Sequence, residues 1–106
     1  MPAAIEVETL QSWREQGLRH ALLDVREPRE VAACAVDGAL LVPMQEIPQR
    51  LRELPQDLPL VVMCHHGMRS RMVVQYLKAQ GFDQVINLDG GIDAWAARIA
   101  PGMARY

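Results

Sequence analysis

The chain has 106 residues, of which half are hydrophobic and 23% are charged, the composition of an ordinary soluble globular protein. Its length suits one domain with a modest core, so we expect a single domain over residues 1–106. The formal net charge of −2 gives no general attraction to nucleic acid or to an anionic membrane, and neither is expected as a partner.

No apolar run approaches the ~20 residues that cross a bilayer, and the first residues lack the basic and apolar pattern of a signal peptide. The two cysteines, Cys34 and Cys64, do not make a disulfide framework. We therefore expect a cytoplasmic protein.

Short apolar runs alternate with amphipathic segments in the first half of the chain. Strands are predicted at 5–7 and 21–25, a helix at 9–16 and a short helix starting within 26–31. A third strand at 39–42 precedes apolar residues at three- and four-residue steps, which predict an amphipathic helix over 44–54. Pro48 must lie in its first turn, because an interior proline would break the helix.

The second half continues the alternation. The run 60–63 is apolar throughout, which predicts a central strand, and it is followed by a helix over 70–80. A fifth strand at 85–88 and a last helix at 91–99 complete the pattern. The whole predicts an α/β fold, with a sheet of about five mainly parallel strands and helices on both faces.

Cys64 directly follows the run 60–63 and precedes a short loop with a glycine. This places a thiol at the carboxyl end of a strand, where ligands bind in open α/β sheets. The next helix directs its N-terminus, with about half a positive charge and free N–H groups, at the thiol. Both favour a thiolate, so we interpret Cys64 as a nucleophile, which requires that solvent reach its sulfur.

The loop residues suit a thiolate and an anionic ligand. Successive N–H groups in a tight loop form an anion-binding concavity, and Gly67 permits the positive φ that such a loop often needs. Arg69 can hold an anion with a bidentate fork. With Arg71, His65 and His66 nearby, the local charge favours an anionic substrate or a persulfide.

Other polar residues carry weaker predictions. Cys34 lacks this context and is expected to pack as a small hydrophobe. His65 and His66 are neighbours, which rarely point at one metal, and no second pair has zinc-site spacing, so neither a metal nor a cofactor is predicted. Their backbone is expected to matter more than their rings, although a histidine that titrates beside the thiolate stays an alternative.

Three motifs together resemble the single-domain rhodanese, or thiosulfate sulfurtransferase, family over about residues 5–97. Residues 24–30, Asp-Val-Arg-Glu-Pro-Arg-Glu, are similar to the family's aspartate-valine-arginine turn, and 38–43 to its glycine-alanine segment before a proline. The most specific pair is the loop 64–70 with the segment Leu-Asp-Gly-Gly-Ile-Asp-Ala-Trp at 88–95. One departure is Cys34-Ala35, where the family often has a glycine-histidine pair.

The resemblance implies a rhodanese-like fold and a ping-pong transfer of sulfane sulfur through a persulfide on Cys64. Thiosulfate or a related small anion would be the donor, and a thiol, cyanide or a protein cysteine the acceptor. Arg69 would orient the donor, and the persulfide would be held by the loop residues His65, His66, Gly67, Met68, Arg69 and Ser70. Asp24 and Arg26 either shape the far wall of the pocket or form an ion pair that orders a loop.

Other function classes fit parts of the pattern. Cysteine phosphatases and arsenate reductases usually place an arginine six positions after the cysteine, where this chain has Ser70, so the loop is one residue short for a tetrahedral oxyanion. A non-catalytic binding or sulfur-carrier module of this fold is a second alternative, although such modules usually lack the cysteine. A thioredoxin-like reductase is disfavoured, because the chain has no C-x-x-C pair.

Overall fold

Five strands form one sheet in the computed structural model, which describes residues 2–106. The strands are β1 (Ala4–Ile5), β2 (Ala21–Asp24), β3 (Leu40–Leu41), β4 (Leu60–Met63) and β5 (Val85–Leu88). Their order is β1-β5-β4-β2-β3, and every neighbouring pair runs parallel. β4 is the central strand, as its unbroken apolar run predicted, and the parallel α/β fold is confirmed.

Helices cover both faces of this sheet. They are α1 (Val7–Gln16), α2 (Pro28–Ala33), α3 (Met68–Ala79) and α4 (Gly91–Arg98). α1 and α4 bury apolar residues against one face, among them Val7, Leu10, Ile92 and Trp95. α3 buries Val73, Val74 and Leu77 against the other face. Within residues 2–106, no helix has the length and apolar character needed to cross a membrane.

The pleat of β4 decides on which face the thiol lies. Successive side chains of a strand point to opposite faces of the sheet. Val61 and Met63 belong to the core under α1 and α4, whereas Val62 and Cys64 belong to the core under α3. The thiol that follows β4 is therefore directed towards the start of α3.

The largest departure from the predicted elements is at residues 44–54. This segment forms two 3₁₀ helices, Met44–Gln49 and Leu51–Glu53, instead of one α-helix, and Pro48 lies inside the first. Proline has no N–H and its ring clashes with the carbonyl four residues back, so an α-helix cannot continue through it. Ile47 and Leu54 are still buried, so the apolar spacing identified the buried face correctly.

Smaller shifts affect other elements. α1 begins at Val7 instead of residue 9, and β3 is reduced to Leu40–Leu41. α3 begins at Met68 instead of residue 70, so Met68 and Arg69 belong to its first turn. Trp13 of α1 is half-buried and packs against the core under α1 and α4.

The start of α4 packs on the backbone that follows β4. The Ile92 N–H donates to the Cys64 carbonyl at 2.9 Å, and the Asp93 N–H donates to the His65 carbonyl at 3.0 Å. Gly91 has a φ of +58°, and a β-carbon there would lie 2.4 Å from the Cys64 carbonyl oxygen. This approach of helix to loop therefore requires glycine.

We expect Gly91→Ala to lower the free energy of unfolding by about 3 kcal/mol, because it adds a steric overlap with backbone to an unfavourable φ. Urea denaturation measures the change. Gly102→Ala is the matched control, since a β-carbon there meets nothing within 4 Å. A loss below about 1 kcal/mol for Gly91→Ala would show that α4 withdraws from the loop at little cost.

Candidate active site around Cys64

Cys64 lies at the carboxyl end of β4, and the backbone of the next residues turns around its sulfur. The Gly67 N–H donates to Sγ at 3.0 Å, and the Ser70 hydroxyl oxygen lies 3.4 Å from Sγ. Gly67 precedes α3 with a φ of 109°, the left-handed conformation that the sequence predicted for it. The start of α3 thus faces the thiol.

The pKa of the Cys64 thiol lies below its ordinary value. Burial is the largest single effect and raises this pKa, but hydrogen bonds outweigh it. These come from the Ser70 hydroxyl and from the backbone N–H groups of Ser70, Gly67 and His66. The surroundings favour the thiolate in the way the strand-loop-helix pattern predicted.

The accessibility of the sulfur differs from the expectation. Cys64 exposes only 1% of its surface, whereas a nucleophile was expected to be reachable from solvent. Met68, at the first position of α3, is 71% exposed. The loop thus presents Met68 to solvent while Cys64 is buried beneath it. Little of the Cys64 surface is therefore open to a substrate in this structure.

Arg69 does not offer a free fork to an anion. Its two terminal nitrogens donate to the two carboxylate oxygens of Glu30 in α2, at 2.7 and 2.8 Å. The hydrogen bonds from Arg69 are the main reason that the pKa of Glu30 falls to about 2, and those to Glu30 raise the pKa of Arg69. Glu30 therefore offsets much of the positive charge that the sequence predicted beside the loop.

Asp24 and Arg26 form a fully buried ion pair. The Arg26 Nη2 donates to Asp24 Oδ2 at 2.7 Å, and neither side chain is exposed. Arg26 also donates to the backbone carbonyls of Glu30 at 3.1 Å and of Cys34 at 2.8 Å. The geometry favours the ion-pair alternative, since the pair holds α2 against the end of β2.

The half-buried Cys34 packs against the core under α1 and α4, as predicted.

Tyr106 contacts the loop after Cys64 and the ion pairs beside it. No sequence pattern indicated this contact, because Tyr106 is distant from these residues along the chain. Its ring stacks on that of His65, with centroids 4.0 Å apart and planes 11° apart. Its hydroxyl donates to Glu30 Oε2 at 2.9 Å and accepts from Arg26 Nη1 at 3.0 Å. Tyr106 thereby joins the loop to both ion pairs.

His65 and His66 approach one carboxylate, although neighbouring histidines were expected to diverge. Their rings lie 3.9 Å apart, and their Nε2 atoms lie 4.0 and 3.7 Å from oxygens of Asp93. Ligand atoms of the three residues lie within 4.8 Å of one another, so they are the candidates for holding a metal ion. However, Arg105 already binds Asp93 at 3.1 Å and a cation would have to displace it, so the absence of a metal stays a prediction.

Asn87 of β5 is a buried polar residue for which the sequence predicted no role. The Ser70 hydroxyl donates to Asn87 Oδ1 at 2.5 Å. The Asn87 amide nitrogen donates to Asp89 Oδ1 at 2.8 Å and to the Gly67 carbonyl at 3.4 Å. An asparagine inside the otherwise apolar strand Val-Ile-Asn-Leu was the available signal. In the described part of the chain, every buried side-chain nitrogen and oxygen has a hydrogen-bond partner.

The fold and the loop together define a class of protein: a parallel α/β domain with a hydrogen-bonded cysteine at the end of its central strand. Residues 6–98 match the family model described as the rhodanese-like domain, and this chain belongs to that family. The match covers the whole of the loop 64–70 and both motifs before it.

Several relatives carry sulfurtransferase names. A sulfurtransferase of Allochromatium vinosum is 43% identical over 83 residues, 78% of each chain. The thiosulfate sulfurtransferase GlpE of Vibrio cholerae is 36% identical over 91 residues, 86% of this chain and 85% of GlpE. The probable adenylyltransferase/sulfurtransferase MoeZ of Mycobacterium tuberculosis is 38% identical over 98% of this chain, which spans only 27% of MoeZ.

Solved structures show the same fold. The crystal structure of a rhodanese-like domain protein from Staphylococcus aureus superposes with a TM-score of 0.83 at 33% identity, over 90% of this chain and 91% of that one. The predicted rhodanese-like architecture is thereby confirmed.

We expect Asp24→Ala to destabilise the fold by about 3–5 kcal/mol, because it leaves the buried Arg26 without its partner. Thermal or urea unfolding measures the loss. Asp57→Ala is the matched control, since it breaks the Arg19–Asp57 ion pair, whose side chains are about 70% exposed. Equal effects of the two substitutions would contradict a structural role for the buried pair.

Proposed function

We propose that the protein is a sulfurtransferase that moves sulfane sulfur from thiosulfate, or a related small anionic donor, to a nucleophilic acceptor through a persulfide on Cys64. The observation that carries the proposal is the hydrogen bond from the Gly67 N–H to Cys64 Sγ, at 3.0 Å, beside a thiol whose pKa is lowered. The sulfurtransferase names of the relatives support it.

The first half-reaction transfers one sulfur atom. The Cys64 thiolate attacks the outer sulfur of thiosulfate and forms a new S–S bond. The S–S bond of thiosulfate breaks, and its electron pair leaves with sulfite. The product is a persulfide anion on Cys64, and the N–H groups of the loop are the donors that would stabilise this anion.

The second half-reaction returns the enzyme to its starting state. An acceptor thiolate or cyanide attacks the outer sulfur of the persulfide, and the electron pair of the S–S bond returns to Cys64. The acceptor leaves as a persulfide or as thiocyanate. Because donor and acceptor react in separate steps, ping-pong kinetics are expected.

Arg69 has a different role here from the one that the sequence predicted. Its fork is bound to Glu30, so recognition of the donor falls first to the backbone N–H groups of the loop. The guanidinium still places a positive charge near Cys64, and the thiolate contributes to its raised pKa. Arg69 therefore supports the anion through its charge and keeps the start of α3 against α2.

The burial of Cys64 favours a second candidate function. A cysteine that exposes only 1% of its surface suits a binding module that keeps the fold without catalysis. The two candidates differ in one observable, because only the sulfurtransferase forms a persulfide when the donor is added.

Incubation with thiosulfate, followed by electrospray mass measurement, is expected to add one sulfur atom, about 32 Da, to the protein, because the thiolate is the reactive form of cysteine. Cys64→Ala should show no adduct. Cys34→Ser is the matched control and should keep the adduct, since Cys34 packs against the core. An unmodified wild-type protein would favour the binding module.

Arg69→Ala is expected to lower kcat/KM for thiosulfate by about tenfold, the scale of one charged contact, while circular dichroism shows an intact fold. The exposed Arg71 is the matched control, and Arg71→Ala should change kcat/KM by less than about twofold. Equal effects of the two substitutions would remove any specific role of Arg69 in the first half-reaction.

A further inference from the structure

The hydrogen bonds around Asn87 determine which way its amide faces. The carboxylate of Asp89 can only accept, and it lies 2.8 Å from one end of the amide. That end must be the NH₂ group, which also reaches the Gly67 carbonyl. The oxygen of Asn87 therefore faces Ser70 and can only accept a hydrogen bond from it.

Ser70 has one hydroxyl proton and two possible partners for it. The hydroxyl donates to Asn87 Oδ1 at 2.5 Å, and its oxygen lies 3.4 Å from Cys64 Sγ. With the proton committed to Asn87, the lone pairs of Ser70 face the sulfur. In the protonated enzyme the contact with Cys64 is then a hydrogen bond from the thiol S–H to the Ser70 oxygen. The Ser70 hydroxyl favours the thiolate, and so lowers the pKa of Cys64, only once its proton has turned to the sulfur.

We propose that Asn87 is a positioning residue that holds the Ser70 proton away from Cys64 in the protonated enzyme, so that Ser70 must turn this proton from Asn87 to the sulfur when Cys64 ionises. The inference rests on the proposed function in taking Cys64 as the reacting group. No co-reactant is needed, since the thiol proton goes to solvent and the Ser70 proton only changes its acceptor.

Burial makes this rearrangement costly. Ser70 and Asn87 are 0% and 3% exposed, so water does not replace a lost partner. When the Ser70 proton turns to the sulfur, Asn87 Oδ1 is left without a donor, which disfavours the ionised state. The Gly67 N–H acts in the opposite sense, because it favours the thiolate. Asn87 is therefore expected to restrain a thiol that the backbone activates.

Charged and titratable groups reach this region from every neighbouring element. Asp89 accepts from the Asn87 amide, Arg69 of α3 is paired with Glu30 of α2, and Asp93 of α4 lies near the rings of His65 and His66. Arg105 is bound to Asp93, Tyr106 to Glu30 and Arg26, and Arg26 to Asp24. Among these, Arg69 has a resolved charge interaction with Cys64. Within residues 2–106, none of these charged or titratable groups donates a hydrogen bond to Ser70 or to Asn87 Oδ1. A double-mutant cycle on Ser70 and Asn87 therefore measures the coupling between these two residues, through which the position of the hydroxyl proton acts.

The experiment measures the pH midpoint of Cys64 alkylation by iodoacetamide in the wild type, Asn87→Leu, Ser70→Ala and the double variant, each in the Cys34→Ser background. Asn87→Leu is expected to lower the midpoint by roughly half a unit or more, because Ser70 becomes free to donate to the thiolate. In the Ser70→Ala background, the same substitution is expected to leave the midpoint unchanged. A purely structural role would shift both backgrounds alike.

Equal shifts in the two backgrounds, or a higher midpoint for Asn87→Leu, would overturn the proposal. If Asn87→Leu does not fold, Asn87→Ala takes its place in the same cycle: a lower midpoint that depends on Ser70 supports the proposal, and a shift that is equal with and without Ser70 contradicts it. Alkylation does not require sulfur transfer. A missing 32 Da adduct would therefore sink the sulfurtransferase and leave this test intact.

Discussion

The 3.0 Å hydrogen bond from the Gly67 N–H to the Cys64 sulfur is the contact on which the rest of the loop depends. A charge on a buried sulfur loses hydration, and only dipoles fixed at short range compensate for that loss. Gly67 supplies such a dipole because its φ of 109° turns the peptide towards the thiol. Gly91 then lets α4 rest against the carbonyls of the same loop. Both glycines therefore serve the sulfur through the backbone.

Glu30 organises the charges around this backbone. Its carboxylate accepts from both terminal nitrogens of Arg69, from the Tyr106 hydroxyl, and from the Glu27 N–H at 2.9 Å. With a pKa of about 2, it stays ionised over the whole range in which a cysteine titrates. The side-chain charges next to the loop thus balance each other to a large degree. Three of the four hydrogen bonds that lower the pKa of Cys64 come from backbone N–H groups, and Arg69 has a charge interaction with Cys64.

The sequence predicted those features of the fold and site that depend on the local pattern of apolar and polar residues. Apolar runs located all five strands to within two residues, and the position of Cys64 after β4 predicted its hydrogen-bonded loop. The 3₁₀ form of residues 44–49 was missed, because apolar spacing identifies a buried face without fixing the hydrogen-bond pattern. The partner of Arg69 was missed because Glu30 meets it only after α2 and α3 pack. The burial of Cys64 and the contact of Tyr106 with His65 likewise depend on tertiary packing that no single segment encodes.

The two outermost strands of the sheet, Ala4–Ile5 and Leu40–Leu41, are only two residues long. An unpaired strand edge is a template on which another chain can add, and its capacity grows with its length. Here each edge offers too few free backbone groups to hold a foreign strand. Leu40 and Leu41 are exposed, yet the brevity of their strand works against edge-to-edge aggregation. A short outer strand is one way in which a sheet limits edge-to-edge pairing without charged residues on that edge.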